Sequence, residues 1–238
     1  MQNSDENRRP RINVSRENIK SGRIRALIEK HHPNFKRLSD EELEASRRSM
    51  FEGGEPSEDV WLFGYGSLIW NPTIEFEESK PVTVRGYHRR FCLRTEMGRG
   101  SPDCPGLVLG LDLGGVCRGL AFRIARDKVE HELDIVWRRE MISKAYQPRW
   151  LCATSDSGPL KVIGFVMNRR DQRYAGKLSD AEAADSIARA EGFLGPCRDY
   201  LYNTVDHLNE LGIPDAGLSR LVDRVNEVRA RLEVSKEP

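Results

Sequence analysis

From Val60 onward the chain reads as short apolar runs separated by glycine and proline. The runs at 60–63, 82–94, 107–113, 117–125, 149–153 and 160–167 are rich in Val, Leu, Ile and aromatic residues and predict strands. Apolar positions at helical spacing fall at 127–145, 180–191, 197–211 and 218–232. Ser179 with Glu182 three residues on forms a capping box, and Pro196 stands where a first-turn proline is favoured. In the last segment Leu218, Leu221, Val225, Val228 and Leu232 make one packing stripe, too short for a coiled coil. Most strands precede most helices and no repeat is present, so the expected class is α+β with a mostly antiparallel or barrel-like sheet.

The first fifty-seven residues differ in character. Asn3, Asn7, Pro10 and Asn13 suggest a loose start. Ser15 can cap a helix carrying Ile19, Leu27 and Ile28, and Ser39 with Glu42 is a capping box for a helix over 40–50. Gly53-Gly54-Glu55-Pro56 is a linker signal. The division is therefore a basic N-terminal extension, 1–57, helical in part, and a domain over 58–238. Residues 1–37 carry ten Lys/Arg against four Asp/Glu. The favoured expectation is helices packed on the domain with solvated outer faces; the competing one is a basic arm that touches an acidic partner.

Composition narrows the function. The 238 residues are 38% hydrophobic and 32% charged, with a net charge of +1, so no global field points to nucleic acid or to a membrane surface. No apolar stretch approaches the ~20 residues of a membrane span, and the first residues lack the apolar core of a secretory signal. A cytoplasmic protein is expected. Cys92, Cys104, Cys117, Cys152 and Cys197 include no Cys-x-x-Cys pair, and the histidines include no His-Glu-x-x-His. No metal site is expected, and the cysteines are read as small buried hydrophobes.

Three segments carry candidate chemistry. Phe63-Gly64-Tyr65-Gly66-Ser67-Leu68 ends the first core strand, and its glycines free the backbone to expose successive N–H groups as a nest for a carboxylate or phosphate. It matches neither a Walker loop, nor Gly-x-Gly-x-x-Gly, nor a Gly-x-Ser-x-Gly elbow, and a tight structural turn is the plain alternative. Asp127 with Glu130 marks a helix start, and Val129, Leu133 and Val136 define its apolar stripe. The next step of that stripe is Glu140, about 20° round from Val129, which puts a carboxylate on a core-facing position. Burial and the helix C-terminus raise such a carboxyl toward the range useful for proton transfer. The alternative is a structural pair with Arg138 or Arg139. Glu75, Glu77 and Glu78 read as a solvated cluster, and Glu130 and Glu132 as flanking the helix start. The third segment, Arg99 to Val108, and the junction Gly195-Pro196-Cys197-Arg198-Asp199-Tyr200-Leu201 are shaped loops.

Taken together, these pieces resemble the ChaC family of γ-glutamylcyclotransferases. The matching segments occur in order: Phe63 to Pro72, Arg85-Gly86-Tyr87, Gly100-Ser101-Pro102 with Pro105-Gly106, Cys117 to Phe122, Arg139-Glu140-Met141, and Gly195-Pro196 with Asp199-Tyr200-Leu201. The resemblance spans roughly residues 60–212. It implies a small mixed β-barrel-like sheet flanked by helices. It also implies cleavage of glutathione to 5-oxoproline and Cys-Gly, with no metal or organic cofactor. By motif, the resemblance assigns substrate binding to Phe63, Gly64, Tyr65, Gly66, Ser67 and Leu68 and acid/base catalysis to Glu140. A small γ-glutamyl compound is the implied partner, with no nucleic acid, no membrane span and no named protein partner. Other γ-glutamyl amino acids or amines as substrates, or a non-catalytic glutathione-binding regulator, remain as alternatives. Residues 1–57 fall outside the resemblance.

Overall fold

The computed structural model describes residues 12–235 apart from 53 and 55. The start of the extension, with Asn3, Asn7 and Pro10, lies outside the described residues, as do Gly53 and Glu55 of the linker signal.

The apolar runs form a closed barrel of five strands among the described residues: β1 (Val60–Gly64), β2 (Glu78–Thr95), β3 (Gly106–Ile124), β4 (Tyr146–Ser155) and β5 (Gly158–Met167). Their order is β1-β3-β2-β4-β5, with antiparallel neighbours along it. The barrel closes where β5 runs parallel to β1, with Leu62 opposite Ile163. Closure leaves no free sheet edge and buries both faces of the short strand β1. Leu62, Phe63, Leu107, Ile163 and Phe165 fill the centre, and Trp137 meets Phe165 edge-on with ring centroids 5.0 Å apart.

Two predicted strands are one. The runs 107–113 and 117–125 fuse into β3, because Gly114 and Gly115, at φ 96° and 74°, carry the chain through a bend without ending the pairing with β2. The opposite register slips between Arg85 and Tyr87, where Gly86 has φ 84°.

The helices are α1 (Arg16–Lys20), α2 (Arg23–His31), α3 (Asp40–Ser49), α4 (Ser67–Trp70), α5 (Val129–Glu140), α6 (Asp180–Arg189), α7 (Cys197–Glu210) and α8 (Ala216–Val234). Both capping boxes form, at Ser39/Glu42 and Ser179/Glu182. The predicted helix over 127–145 is shorter at both ends. Asp127 sits in a 3-10 turn, Arg126–Lys128, rather than capping α5, and the chain leaves the helix after Glu140 to bury Met141 and Ala145 on its way to β4. Pro196 belongs to a two-residue ribbon, β6 (Glu191–Gly192) with β7 (Gly195–Pro196), and precedes the first turn of α7 instead of lying in it. Asp215 starts α8 by accepting from Gly217 and Leu218 N–H. Cys92, Cys117 and Cys197 are buried, but the alternation of β4 turns Cys152 outward. Among the described residues no helix is long and apolar enough to cross a membrane.

The N-terminal helices are built into the molecule. The helix expected from Ser15 breaks after Lys20, because Gly22 adopts φ 70°, so Ile19 and Ile28 lie on different helices. Ile19, Ile24 and Ile28 pack with Ile135 and Phe193, while Leu38 and Leu43 join the main core. Arg16 forks onto both oxygens of Glu132, which also accepts from the Glu75 N–H at 2.9 Å. Sequence reading placed Glu132 as a flanking acid; it is 1% exposed.

Burial pushes the Glu132 carboxyl up, but the Arg16 hydrogen bond and the Glu75 N–H outweigh it, so the net shift is downward. A carboxyl depressed in the folded state stabilises it above the unfolded pKa, and that contribution fades as pH falls through the folded value. Glu132→Ala is expected to lower stability by about 2 kcal/mol, since it strands Arg16 and the Glu75 N–H. Urea unfolding at neutral pH and at pH 3 checks this: the gap between parent and variant should shrink in acid.

Candidate active site

The site grows from the end of β1. Phe63 is fully buried in the barrel, and Gly64 lies so close to its neighbours that an added Cβ would stand 2.9 Å from the Phe122 ring. Both are packing positions beneath the turn, outside the lining of the cavity. The chain then turns through Tyr65 and Gly66 into α4, and Tyr65, Gly66, Ser67 and Leu68 line a cavity of about 340 Å³. Arg89, with its side chain 2% exposed, fixes this turn from below: its Nη1 donates to the Tyr65 carbonyl at 2.9 Å and its Nε faces Asp215 at 3.1 Å. The Tyr65 hydroxyl donates to the Phe165 carbonyl at 2.9 Å. Gly66 is required by close approach, since a Cβ there would lie 2.8 Å from the Tyr200 hydroxyl.

The opposite wall comes from the end of α5. Val129, Leu133 and Val136 are fully buried, and Glu140, next on that stripe, reaches the cavity with its side chain 14% exposed. Burial raises its carboxyl above the ordinary range, and the adjacent Arg139 opposes the rise without cancelling it. Arg139 joins the two halves of the site. Its Nε lies 3.0 Å from Glu140 Oε1, its Nη2 donates to Ser67 Oγ at 2.9 Å, and its Nη1 donates to Thr73 Oγ1 at 3.0 Å and to the Asn71 carbonyl. Both alternatives left open for Glu140 therefore coexist: it is paired with Arg139 and it lines the cavity.

Buried phenols surround this pair. Tyr146 donates to the Leu109 carbonyl at 2.6 Å, and burial raises its pKa well above 10. Burial pushes the Tyr200 phenol up to about 12; the Glu140 carboxylate adds to this, and hydrogen bonding from Ser67 opposes it. Such phenols stay protonated, giving the cavity a low-dielectric wall that cannot itself take a proton near neutrality. Sequence reading missed Arg139 as a link and Tyr146 altogether, and saw Tyr200 only as part of a loop-to-helix junction. The two shaped loops meet here, where Arg99 Nη1 donates to the Pro196 carbonyl at 3.1 Å. His88 and Tyr174 lie elsewhere, His88 against the Gly114 carbonyl at 2.8 Å and Tyr174 on Asp112 at 2.8 Å.

The pattern of the ChaC-like proteins matches residues 60–228. The chain is 41% identical over 172 residues to the glutathione-specific gamma-glutamylcyclotransferase of Escherichia coli, covering 72% of this chain and 74% of that one. It is 42% identical over 201 residues to the enzyme of the same name from Schizosaccharomyces pombe, covering 76% and 98%. The crystal structure of a gamma-glutamyl cyclotransferase specific to glutathione from yeast has the same fold, with a TM-score of 0.68 at 20% identity over 74% of this chain and 99% of that one. With all five barrel strands and the whole of its cavity-lining turn inside the matched segment, the chain belongs to the ChaC-like family.

Proposed function

We propose that this protein cleaves glutathione to 5-oxoproline and Cys-Gly, with Glu140 as the acid/base and the turn Tyr65 to Leu68 as the γ-glutamyl cradle. The observation that carries the reading is the cavity in which a buried carboxylate stands across one arginine from the Gly66-Ser67 turn. The names of the family's curated members support glutathione as the substrate.

The reaction is intramolecular, so nucleophile and electrophile arrive together; well-oriented intramolecular geometry is worth roughly 7–11 kcal/mol. The turn's backbone N–H groups hold the substrate α-carboxylate and keep the γ-glutamyl chain curled. Arg139 engages Glu140 through Oε1, which leaves Oε2 for the α-ammonium. Glu140 takes one proton from that ammonium, and the freed amine attacks the side-chain amide carbon. One further N–H of the turn, or the Ser67 hydroxyl beside it, stabilises the oxyanion. Glu140 returns that proton to the cysteine nitrogen as the C–N bond breaks, then takes the second proton from the ring nitrogen and passes it to the departing amine, so the ring ends as a neutral lactam and Cys-Gly leaves as an ammonium. Water is not consumed.

The test is to incubate the purified protein with glutathione and measure both products. Equimolar 5-oxoproline and Cys-Gly are expected, with kcat/KM for glutathione exceeding that for a γ-glutamyl amino acid. Calorimetric binding of glutathione without 5-oxoproline release would replace the reading with that of a binding protein.

A further inference from the structure

Part of the site is held from outside the segment that matches the family pattern. Ile12, Val14, Ile19 and Ile24 line the cavity, whereas the family match begins at residue 60. This N-terminal wall is tied to the stretch 71–75, which joins α4 to β2. Asn71 Nδ2 donates to the Val14 carbonyl at 2.7 Å, and Arg16 Nη1 donates to the Thr73 carbonyl at 3.3 Å. The same stretch lies along α5. Glu132 and Arg139 are about two turns apart on that helix and so share one side of it. Glu132, forked by Arg16, accepts from the Glu75 N–H, and Arg139 donates to the Asn71 carbonyl and to Thr73 Oγ1. The stretch is thus pinned to α5 at two points, and the extension reaches it beside both.

Thr73 stands at the centre of this arrangement. Its φ is 59°, in the left-handed region that a β-branched residue rarely adopts, and such a conformation persists only where the surroundings hold it. Two guanidinium groups do so. Arg16 takes the Thr73 carbonyl and Arg139 takes the hydroxyl, at 3.0 Å. The proton of that hydroxyl goes to the Pro72 carbonyl at 2.6 Å, which leaves an oxygen lone pair for Arg139. Arg139 is the group that faces Glu140 Oε1 and donates to Ser67 Oγ. What fixes Arg139 therefore also fixes Glu140.

We infer that Thr73 is a positioning residue for the Arg139–Glu140 pair, clamped in its left-handed conformation by Arg16, so that the N-terminal extension sets the placement of the acid/base. This rests on the reading of Glu140 as that acid/base. Besides Arg139, the titratable groups electrostatically linked to Glu140 are Tyr65 on the turn, Tyr146 on β4 and Tyr200 on α7. Burial keeps these phenols protonated, so the titration of Glu140 reports on Arg139.

The test compares Thr73→Ala, which removes the hydroxyl, with Thr73→Ser, which keeps it. Two quantities are measured: turnover of glutathione across pH, and titration of the Glu140 carboxyl by carbon-13 NMR, with its resonance assigned from Glu140→Gln. Loss of one ordinary hydrogen bond to Arg139 predicts a fall of about fivefold in Thr73→Ala, mainly in kcat. Arg139 opposes the rise that burial imposes on the Glu140 carboxyl, so a looser Arg139 should move both the acid limb and the NMR titration to higher pH. Thr73→Ser should match the parent in both. Lower stability in Thr73→Ala with kcat and titration unchanged, or equal effects in the two variants, would mean that Thr73 serves the backbone alone and would overturn the inference. Arg16→Lys keeps a charge against Glu132 but gives up the fork. It should reproduce the shift, and should add nothing in the Thr73→Ala background; additive shifts would overturn the link to the extension. If the parent does not turn glutathione over, the cyclotransferase reading fails and the NMR titration alone decides the positioning role. A shift in Thr73→Ala that is absent from Thr73→Ser supports it, and no shift overturns it.

Discussion

Glu140→Gln is expected to fold as the parent does and to lose turnover by about 10³-fold, the range that a positioned proton-transfer group contributes. The amide keeps the shape of the side chain, and its oxygen can still accept from Arg139, which the parent carboxylate faces at 3.0 Å. What disappears is the proton acceptor. Stability should fall modestly, by about 1–2 kcal/mol, since the buried Arg139 loses its counter-ion but keeps neutral acceptors in the new amide, Ser67, Thr73 and the Asn71 carbonyl. Release of 5-oxoproline measures the first effect and thermal unfolding the second; a rate within tenfold of the parent would remove Glu140 from the mechanism. The pH profile gives an independent reading. Burial holds the Glu140 pKa above 4.5, and the carboxylate form does the work, so the parent rate should fall as pH drops through that raised value. Glu140→Gln should lack this acid limb, because nothing at the position titrates.

The route to that carboxylate was short in sequence terms. A helix repeats every 3.6 residues, so Val129, Leu133 and Val136 point to Glu140 without any knowledge of what lies opposite. The turn was equally legible, because Tyr65, Gly66, Ser67 and Leu68 are consecutive. The barrel strands were legible for the same local reason, and the fusion of β3 was hidden because Gly114-Gly115 ordinarily ends a strand. What periodicity does not carry is the meeting of distant elements. Ser67 and Arg139 meet across 72 positions, Asn71 and Val14 across 57, and Arg16 reaches Glu132 across 116. Each is a polar link between two residues of otherwise ordinary helices or turns. The same limit concealed the N-terminal wall: Ile19 read with Leu27 and Ile28 as the packing stripe of one helix, whereas Ile19 on α1 and Ile24 on α2 both help to line the cavity.

Gly66→Val is the second large effect, and it tests the turn separately from the carboxylate. A Cβ at Gly66 would lie 2.8 Å from the Tyr200 hydroxyl and 3.4 Å from Leu109 Cδ1. Tyr200 has little room to retreat, since Trp70 and Phe91 meet its ring edge-on with centroids 6.1 and 5.9 Å away. Valine adds two further methyl groups against this wall, and overpacking of this kind costs about 1–3 kcal/mol. The turn must shift instead, carrying the Ser67 hydroxyl away from Arg139 and the backbone N–H groups away from the α-carboxylate. A fall in kcat/KM of about 10²-fold is expected, of the size that a displacement of about 1 Å in a positioning group produces. Unfolding and turnover can be separated with the smaller change Gly66→Ala, alone and combined with Tyr200→Phe. Removing the phenol oxygen removes the 2.8 Å contact, so the double variant should regain the stability that Gly66→Ala loses, a coupling between touching residues. If the double variant is restored in stability and equally restored in KM and kcat, the turn serves packing alone. If stability returns while KM for glutathione stays raised, the N–H groups of the turn hold the substrate directly.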